Sequence, residues 1–319
     1  MTTAVVEAAT TDPPTPATAR RRRPWRRSSG LGRGESRAAW LMLSPNLLLF
    51  GVFLLMPLLA TFVLSLYESS GFGPREFAGL GNYRELAGDG TFWRATLNTA
   101  VFAVATVPLS LAIGLGLALM LDRPLPGRSV LRAIYYLPYV LSGVVVAVAG
   151  RWLFDENVGV INRMLRAIGT DGLAWQSEAG PAMTSLVLIS VWTKIGFAMV
   201  VYLAALQAIP REYVEAAEVD GATKWQRLRH VVVPLLRPTT AFLVVLGVIE
   251  SFQIFDVVYV LTGGGPGNAT EMLVTYAYAE GFDARRQGYA AAIGVITYLF
   301  VLVLTALWWR RQREREEVQ

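Results

Sequence analysis

Two sets of polar residues interrupt apolar runs of the sequence. Ser190, Thr193, Lys194 and Phe197 fall at i, i+3, i+4 and i+7, the spacing that places side chains on one helical face. Gly247, Glu250 and Ser251 repeat that spacing on the next apolar run. Ionisable groups at membrane depth are costly and face a protein interior or an aqueous cavity. Lys194 and Glu250 can satisfy that demand as a mutual ion pair, or as a relay in an ion- or proton-coupled carrier. Other chemistry is excluded by residue type. The chain has no cysteine, which removes thiolate zinc sites, iron–sulfur clusters and a cysteine nucleophile. One histidine, His230, removes any two-histidine metal site, and it reads as a surface loop residue. The glycine cluster at 263–267 lacks the Lys-Ser/Thr of a phosphate loop and reads as a flexible turn. No convergent acid, base or metal set remains, so no catalytic site, cofactor or metal is expected.

The elements that must position those residues are membrane helices. Of 319 residues, 54% are hydrophobic and 17% charged, with a mean hydropathy of +0.42, outside ordinary globular usage. A helix needs about 20 mainly apolar residues to cross a bilayer. Six runs qualify, at 40–67, 96–121, 130–154, 181–208, 235–261 and 289–309. The first exceeds the roughly 7–15 residues of a signal-peptide core, so it reads as an uncleaved span. Glu250, Gln253 and Asp256 interrupt the fifth. With the N-terminus inside, twenty Lys and Arg fall on the cytoplasmic side and seven outside. The positive-inside rule then gives an N-in, C-in chain with an even number of spans. The basic run Arg20–Arg27 anchors that orientation beside anionic lipid, and no aromatic-rich soluble domain accompanies it to suggest nucleic acid. Trp308 and Trp309 form an interfacial belt at the end of the last span.

The connection at 209–234 carries the most specific pattern. Pro210 suits a first helical position, and Glu212 and Glu215 suit the positive end of a helix. Asp220-Gly221 terminates that helix, and Thr223 can cap the next. Tyr213, Ala216 and Ala217, then Trp225 and Leu228, give two apolar stripes too short to span. Such an exposed helix pair fits a docking partner, or an elbow lying on headgroups.

Glu215-Ala216-Ala217, then Asp220-Gly221-Ala222, then Val231 and Pro234, resembles the EAA loop of permease subunits of bacterial ATP-binding-cassette (ABC) importers. The stretch from Gln253 to Pro266, with Thr270 and Tyr276-Ala-Tyr278, is similar to the carbohydrate-importer branch, in particular its maltose F-type and glycerol-3-phosphate or multiple-sugar A-type subunits. Ser44-Pro45 and Pro57 fit as well. The resemblance implies an all-α polytopic membrane protein with six transmembrane helices in the type I ABC importer permease (MetI-like) fold. It divides the chain into a disordered basic cytoplasmic tail (1–37), a permease domain (38–309) holding the coupling loop (209–234), and a cytoplasmic tail (310–319). It implies a multi-pass protein of the bacterial inner membrane that transports sugar and leaves ATP hydrolysis to a partner. The implied partners are a second homologous permease subunit, two ATPase subunits, an extracytoplasmic solute-binding protein, the sugar itself and membrane lipid. Glu215, Ala216, Ala217, Asp220 and Gly221 would seat in a cleft of the ATPase. The Ser190/Thr193/Lys194/Phe197 and Gly247/Glu250/Ser251 faces would line the sugar path, where Lys194 and Glu250 either contact sugar or pair structurally. A glycerol-phosphate-type importer and an ion-coupled secondary transporter remain as alternatives.

Overall fold

The computed structural model describes residues 33–71 and 73–316. The basic run Arg20–Arg27 lies outside them, as do 1–32 of the expected tail and 317–319. Two units make up the described chain. The first consists of α1 (Arg33–Phe50), which begins inside the stretch expected to be a disordered tail, and a π-turn, Gly51–Leu55.

The second unit starts with α2 (Met56–Leu64) and a two-residue hairpin, β1 (Tyr67–Glu68) against β2 (Glu76–Phe77), antiparallel with Tyr67 opposite Phe77. Then come α3 (Gly81–Gly88), α4 (Gly90–Leu121), α5 (Arg128–Val140), α6 (Gly143–Leu153), α7 (Val160–Ala167) and α8 (Ala179–Ala208). The coupling segment holds α9 (Arg211–Val219), α10 (Lys224–Arg227), a π-turn (Leu228–Val232) and α11 (Val233–Leu235). The chain continues as α12 (Arg237–Phe252), α13 (Asp256–Leu261), α14 (Leu273–Tyr278), a π-turn (Ala279–Asp283) and α15 (Gln287–Glu316).

Among the described residues, four helical stretches are long and apolar enough to cross a membrane: Trp40–Leu64, Gly90–Leu121, Ala179–Ala208 and Gln287–Trp308. Two bent pairs raise the count to as many as six. The run at 130–154 is not one straight helix: α5 and α6 meet at 98°. Pro138 weakens the end of α5, and Leu141 and Ser142 are extended, so the helical ladder stops there. The run at 235–261 is likewise split. Its helix ends at Phe252, Gln253–Phe255 break the ladder, and α13 resumes at Asp256. On the other side, the segment Lys224–Leu235 meets α12 at 64°. The second span begins at Gly90 rather than 96 because Asp89 caps it, accepting from the Thr91 amide at 2.8 Å.

The core is organised around α4 and α8, which make the most extensive helix contact. Gly114 allows this approach: a Cβ there would collide with Ala198 and press on the Met199 amide. Gly196 does the same for α5, because a Cβ would strike the Tyr135 carbonyl. Near the coupling segment, Ala118, Leu121, Met199, Tyr202, Leu203 and Leu236 form a buried cluster. Two more clusters lie toward the hairpin end, one around Phe102, Leu186 and Val258, the other around Phe92, Leu273 and Ile293.

Asp89 ties that second end together. Its Oδ2 accepts from the Tyr289 hydroxyl at 2.7 Å and from Tyr276, joining α14 and α15 to the start of α4. Beside it, Arg286 pairs with Glu85 at 2.6 Å and lies over the Tyr289 ring. Partial burial alone would raise the Asp89 carboxyl, but hydrogen bonds from Tyr276, Tyr289 and the Thr91 and Phe92 amides outweigh it and hold the carboxyl below its ordinary value. A depressed folded value means the stabilisation is present above the unfolded value, about 3.9, and fades as pH falls through the folded one. Asp89→Ala removes a cap and leaves two tyrosine hydroxyls without their acceptor, an expected loss of about 2–4 kcal/mol. Thermal unfolding of the purified protein should show that deficit undiminished from pH 5 to 8. A deficit that shrinks within this range would contradict the assignment.

Candidate functional site

At the coupling segment, Glu215, Ala216, Asp220 and Gly221 are exposed and Ala217 is half-buried. The end of α9 forms a Schellman turn: the Ala222 amide donates to the Ala217 carbonyl at 2.9 Å and Gly221 to Glu218 at 3.0 Å. Gly221 sits at φ +79°, a left-handed conformation that a side chain would strain. Thr223 starts α10 through a reciprocal capping box with Gln226, whose Oε1 accepts from the Thr223 amide at 2.8 Å. Arg227 pairs with Glu218 and so joins the two helices. His230 is exposed but helical rather than in a loop, with Nδ1 3.0 Å from the Gln226 carbonyl. The base of the segment is pinned, because Ile209 and Val232 pack on the cluster around Leu203 and Leu236. What projects is a mixed ridge, with Tyr213, Glu215, Val219 and Trp225 exposed beside the basic Arg211, Lys224 and Arg229.

Lys194 Nζ, from the middle of α8, stands 3.2 Å from Glu250 Oε2 in the last turn of α12. The side chains are 18% and 34% exposed, but Lys194 Nζ itself is buried, so Glu250 is the member of the pair that reaches the surface. Phe197, one turn along α8, stacks on Tyr139 of α5 with centroids 4.8 Å apart and planes at 18°. Tyr136 lies 5.7 Å from Tyr139. One face therefore gathers two opposite charges and three aromatic rings.

The remaining candidates divide. Thr193 is half-buried and donates to the Ser190 carbonyl at 2.9 Å. Ser190 is buried, and neither its hydroxyl nor that of Thr106 on α4 has a hydrogen-bond partner among the described residues. Gly247 turns toward α4, where a Cβ would press on Val107 at about 3.1 Å. Ser251 is buried and bonds back to the Gly247 carbonyl at 2.7 Å. The α8 set thus reaches the open face through Lys194 and Phe197, and the α12 set through Glu250. Gly247 and Ser251 instead fit α12 to its neighbours.

Sequence spacing missed Tyr136 and Tyr139. Their signal was present, as an i, i+3 tyrosine pair in an apolar helix, but nothing in the spacing links α5 to α8. Asp256, at the start of α13, is exposed beside Gly143, where α6 begins. The glycine turn is organised by Thr270, whose hydroxyl donates to the Gly265 carbonyl at 2.6 Å. Burial pushes the neighbouring Glu271 carboxyl up, although Thr275 donates to it at 2.6 Å. No cluster of His, Asp and Glu among the described residues could hold a metal.

The family described as binding-protein-dependent transport system inner membrane component matches residues 110–310. The trehalose/maltose transport system permease protein MalF of Thermococcus litoralis is 33% identical over 284 residues, 89% of this chain and 96% of that protein. The lactose transport system permease protein LacF of Rhizobium radiobacter is 36% identical over 283 residues, 87% of this chain and 94% of that protein. Among solved structures, a chain of a bacterial ABC transporter that imports the acidic polysaccharide alginate superposes with a TM-score of 0.76 at 26% identity. That match covers 88% of this chain and 96% of the other. A family match over more than half the chain, with apolar helices of membrane-crossing length, makes this protein a multi-pass ABC-type permease of the binding-protein-dependent transport system inner membrane component family.

Proposed function

We propose that this chain is the permease subunit of an ATP-driven, binding-protein-dependent sugar importer. On this reading it forms half of the translocation path and couples to an ATPase through 209–234. The observation that carries the reading is the partly exposed face of Lys194, Glu250, Tyr139 and Phe197. Charges at membrane depth are costly against acyl chains, which favours a border with another protein surface or a water-filled passage. A second permease subunit would supply the opposite wall. Stacked rings beside a few polar groups suit a sugar, whose ring has apolar faces and a hydroxyl edge. The relatives described above carry trehalose or maltose and lactose by name, and the structural neighbour imports alginate. A glycerol-phosphate ester fits less well, because Glu250 already neutralises the cation that would hold its phosphate.

Taking the bent pair α5–α6 as one span and α12 as another gives six crossings with both termini in the cytoplasm, and 38–309 is then the permease domain. The ridge of α9 and α10 is the proposed seat in an ATPase subunit, with Glu215, Ala216, Ala217, Asp220 and Gly221 at the contact. ATP hydrolysis belongs to that partner. An extracytoplasmic solute-binding protein would deliver sugar at the hairpin end. The mechanism asks little reactive chemistry of this chain. Closure of the ATPase pair pulls the pinned coupling segment, and the clusters at its base pass that displacement to α4 and α8.

Two outcomes test this proposal. Glu215→Lys places a cation on the exposed ridge and should abolish sugar-stimulated ATP hydrolysis by the reconstituted complex while leaving its assembly intact. Wild-type stimulation in that variant would contradict the coupling role. A reporter fused after Trp309 should be active only in the cytoplasm, and one inserted near Asn268 only outside. The reverse at either position would overturn the topology.

A further inference from the structure

The connection between α6 and α8 holds a helix with an exposed apolar stripe. On α7, Asn162 is buried and uses its whole amide: Nδ2 donates to the Glu156 and Leu173 carbonyls, and Oδ1 accepts from the Leu173 amide and from Trp175 Nε1 at 2.8 Å. Ile161 and Leu165 pack on the cluster around Phe154 and Trp175. Arg166 donates to the carbonyls of Glu156 and Asn157. The opposite side is apolar, with Met164 65% and Ile168 75% exposed, and Val160 one turn before them. A helix facing water would carry polar residues on that stripe. A contiguous exposed apolar stripe of this kind marks a surface that something covers.

We propose that α7 lies in the headgroup–acyl boundary of the bilayer, on the face opposite the coupling segment, and anchors the outer end of the broken pair α5–α6 to lipid. Continuity supports lipid as the occupant. On α6, Val144, Val148 and Trp152 repeat at i, i+4 and i+8, all exposed, and lead along a membrane helix to the loop that starts α7. Trp152, 78% exposed, is the residue type that settles at a membrane interface. Arg151 and Arg163, next in sequence to Trp152 and Met164, are exposed, and long basic side chains there can reach phosphate. Geometry supplies the need for an anchor. With 11 residues, α6 is about 16 Å long, half of the ~30 Å hydrocarbon core, and it turns 98° from α5. An interfacial helix keeps the end of such a short segment at a fixed depth. The inference rests on α5–α6 and α8 lying in the membrane, as proposed above, and not on which solute is carried.

Because the chain has no cysteine, single labels can be placed without background. Val148→Cys, Met164→Cys, Ile168→Cys and Thr170→Cys would each carry a nitroxide in the complete complex, assembled with cysteine-free partners. The vesicles would contain phosphatidylethanolamine and phosphatidylglycerol. Collision rates with oxygen, which partitions into lipid, are compared with those of a water-soluble nickel chelate. The labels at 164 and 168 should favour oxygen several-fold, as the membrane control at 148 does, while exposed Thr170 favours nickel. Nickel preference at 164 and 168, with 148 still favouring oxygen, would overturn the interfacial helix alone. Shielding of both positions from both reagents would show a protein partner there and also overturn it. Nickel preference at 148 as well would overturn the membrane reading beneath it.

Discussion

The ion pair between Lys194 and Glu250 is the constraint around which the membrane part of this protein is arranged. Either charge alone at the centre of a membrane helix costs about 2.5–3.5 kcal/mol on insertion scales. At 3.2 Å each offsets the other, but only while α8 and α12 keep their relative rotation and depth. Partial exposure gives the pair its second property. Lys194 Nζ is buried and needs its partner, while Glu250, 34% exposed, is the member open to a polar solute. Tyr139 of α5, stacked on Phe197 of α8, closes the same face, so three helices contribute to one surface.

Small residues and helix breaks hold those helices at the required distances. Gly196 lets the α5 backbone reach α8, which brings Tyr139 over Phe197, and Gly247 seats α12 against Val107 of α4. The break between Val140 and Gly143 frees α5 from the direction of α6. At one end, the Asp89 carboxylate binds α4, α14 and α15 together; at the other, the cluster around Leu203 and Leu236 carries the coupling segment. A displacement applied to α9 therefore has a packed route to the charged face: through Ile209 and Val232 into the cluster, and along α8 toward Lys194.

Local signals in the sequence translated well wherever the physics was local. Asp220-Gly221 reads as a helix stop because only a few residues tolerate a left-handed backbone, and Thr223 reads as a cap because its hydroxyl reaches the next turn. The i, i+3, i+4 spacing put Lys194 and Phe197 on one face and Glu250 on another, and hydropathy located the apolar runs. Non-local facts were hidden. The bend after Val140 depends on two extended residues in a run whose composition is uniformly apolar. The place of Tyr139 depends on a backbone contact at Gly196, 57 positions away along the sequence. Gly247 and Ser251 share spacing with Glu250 but turn to the core, because i, i+3 and i+4 positions span a face broad enough to meet two neighbours. The exposed apolar stripe of α7 becomes visible only once the side-chain bonds of Asn162 fix which side of the helix is buried.

A double-mutant cycle on the pair tests the central claim most directly. Lys194→Met and Glu250→Gln would each be introduced alone and together, and the yield of folded complex and sugar transport measured for all variants. Removing one partner strands the other charge, so both single changes should sharply lower folded complex, and the double change should restore it. Restored protein that still fails to transport would assign the pair to the sugar path; restored transport would assign it to holding α8 against α12. If the two single effects simply add, Lys194 and Glu250 do not stabilise each other, and the account of this face is wrong.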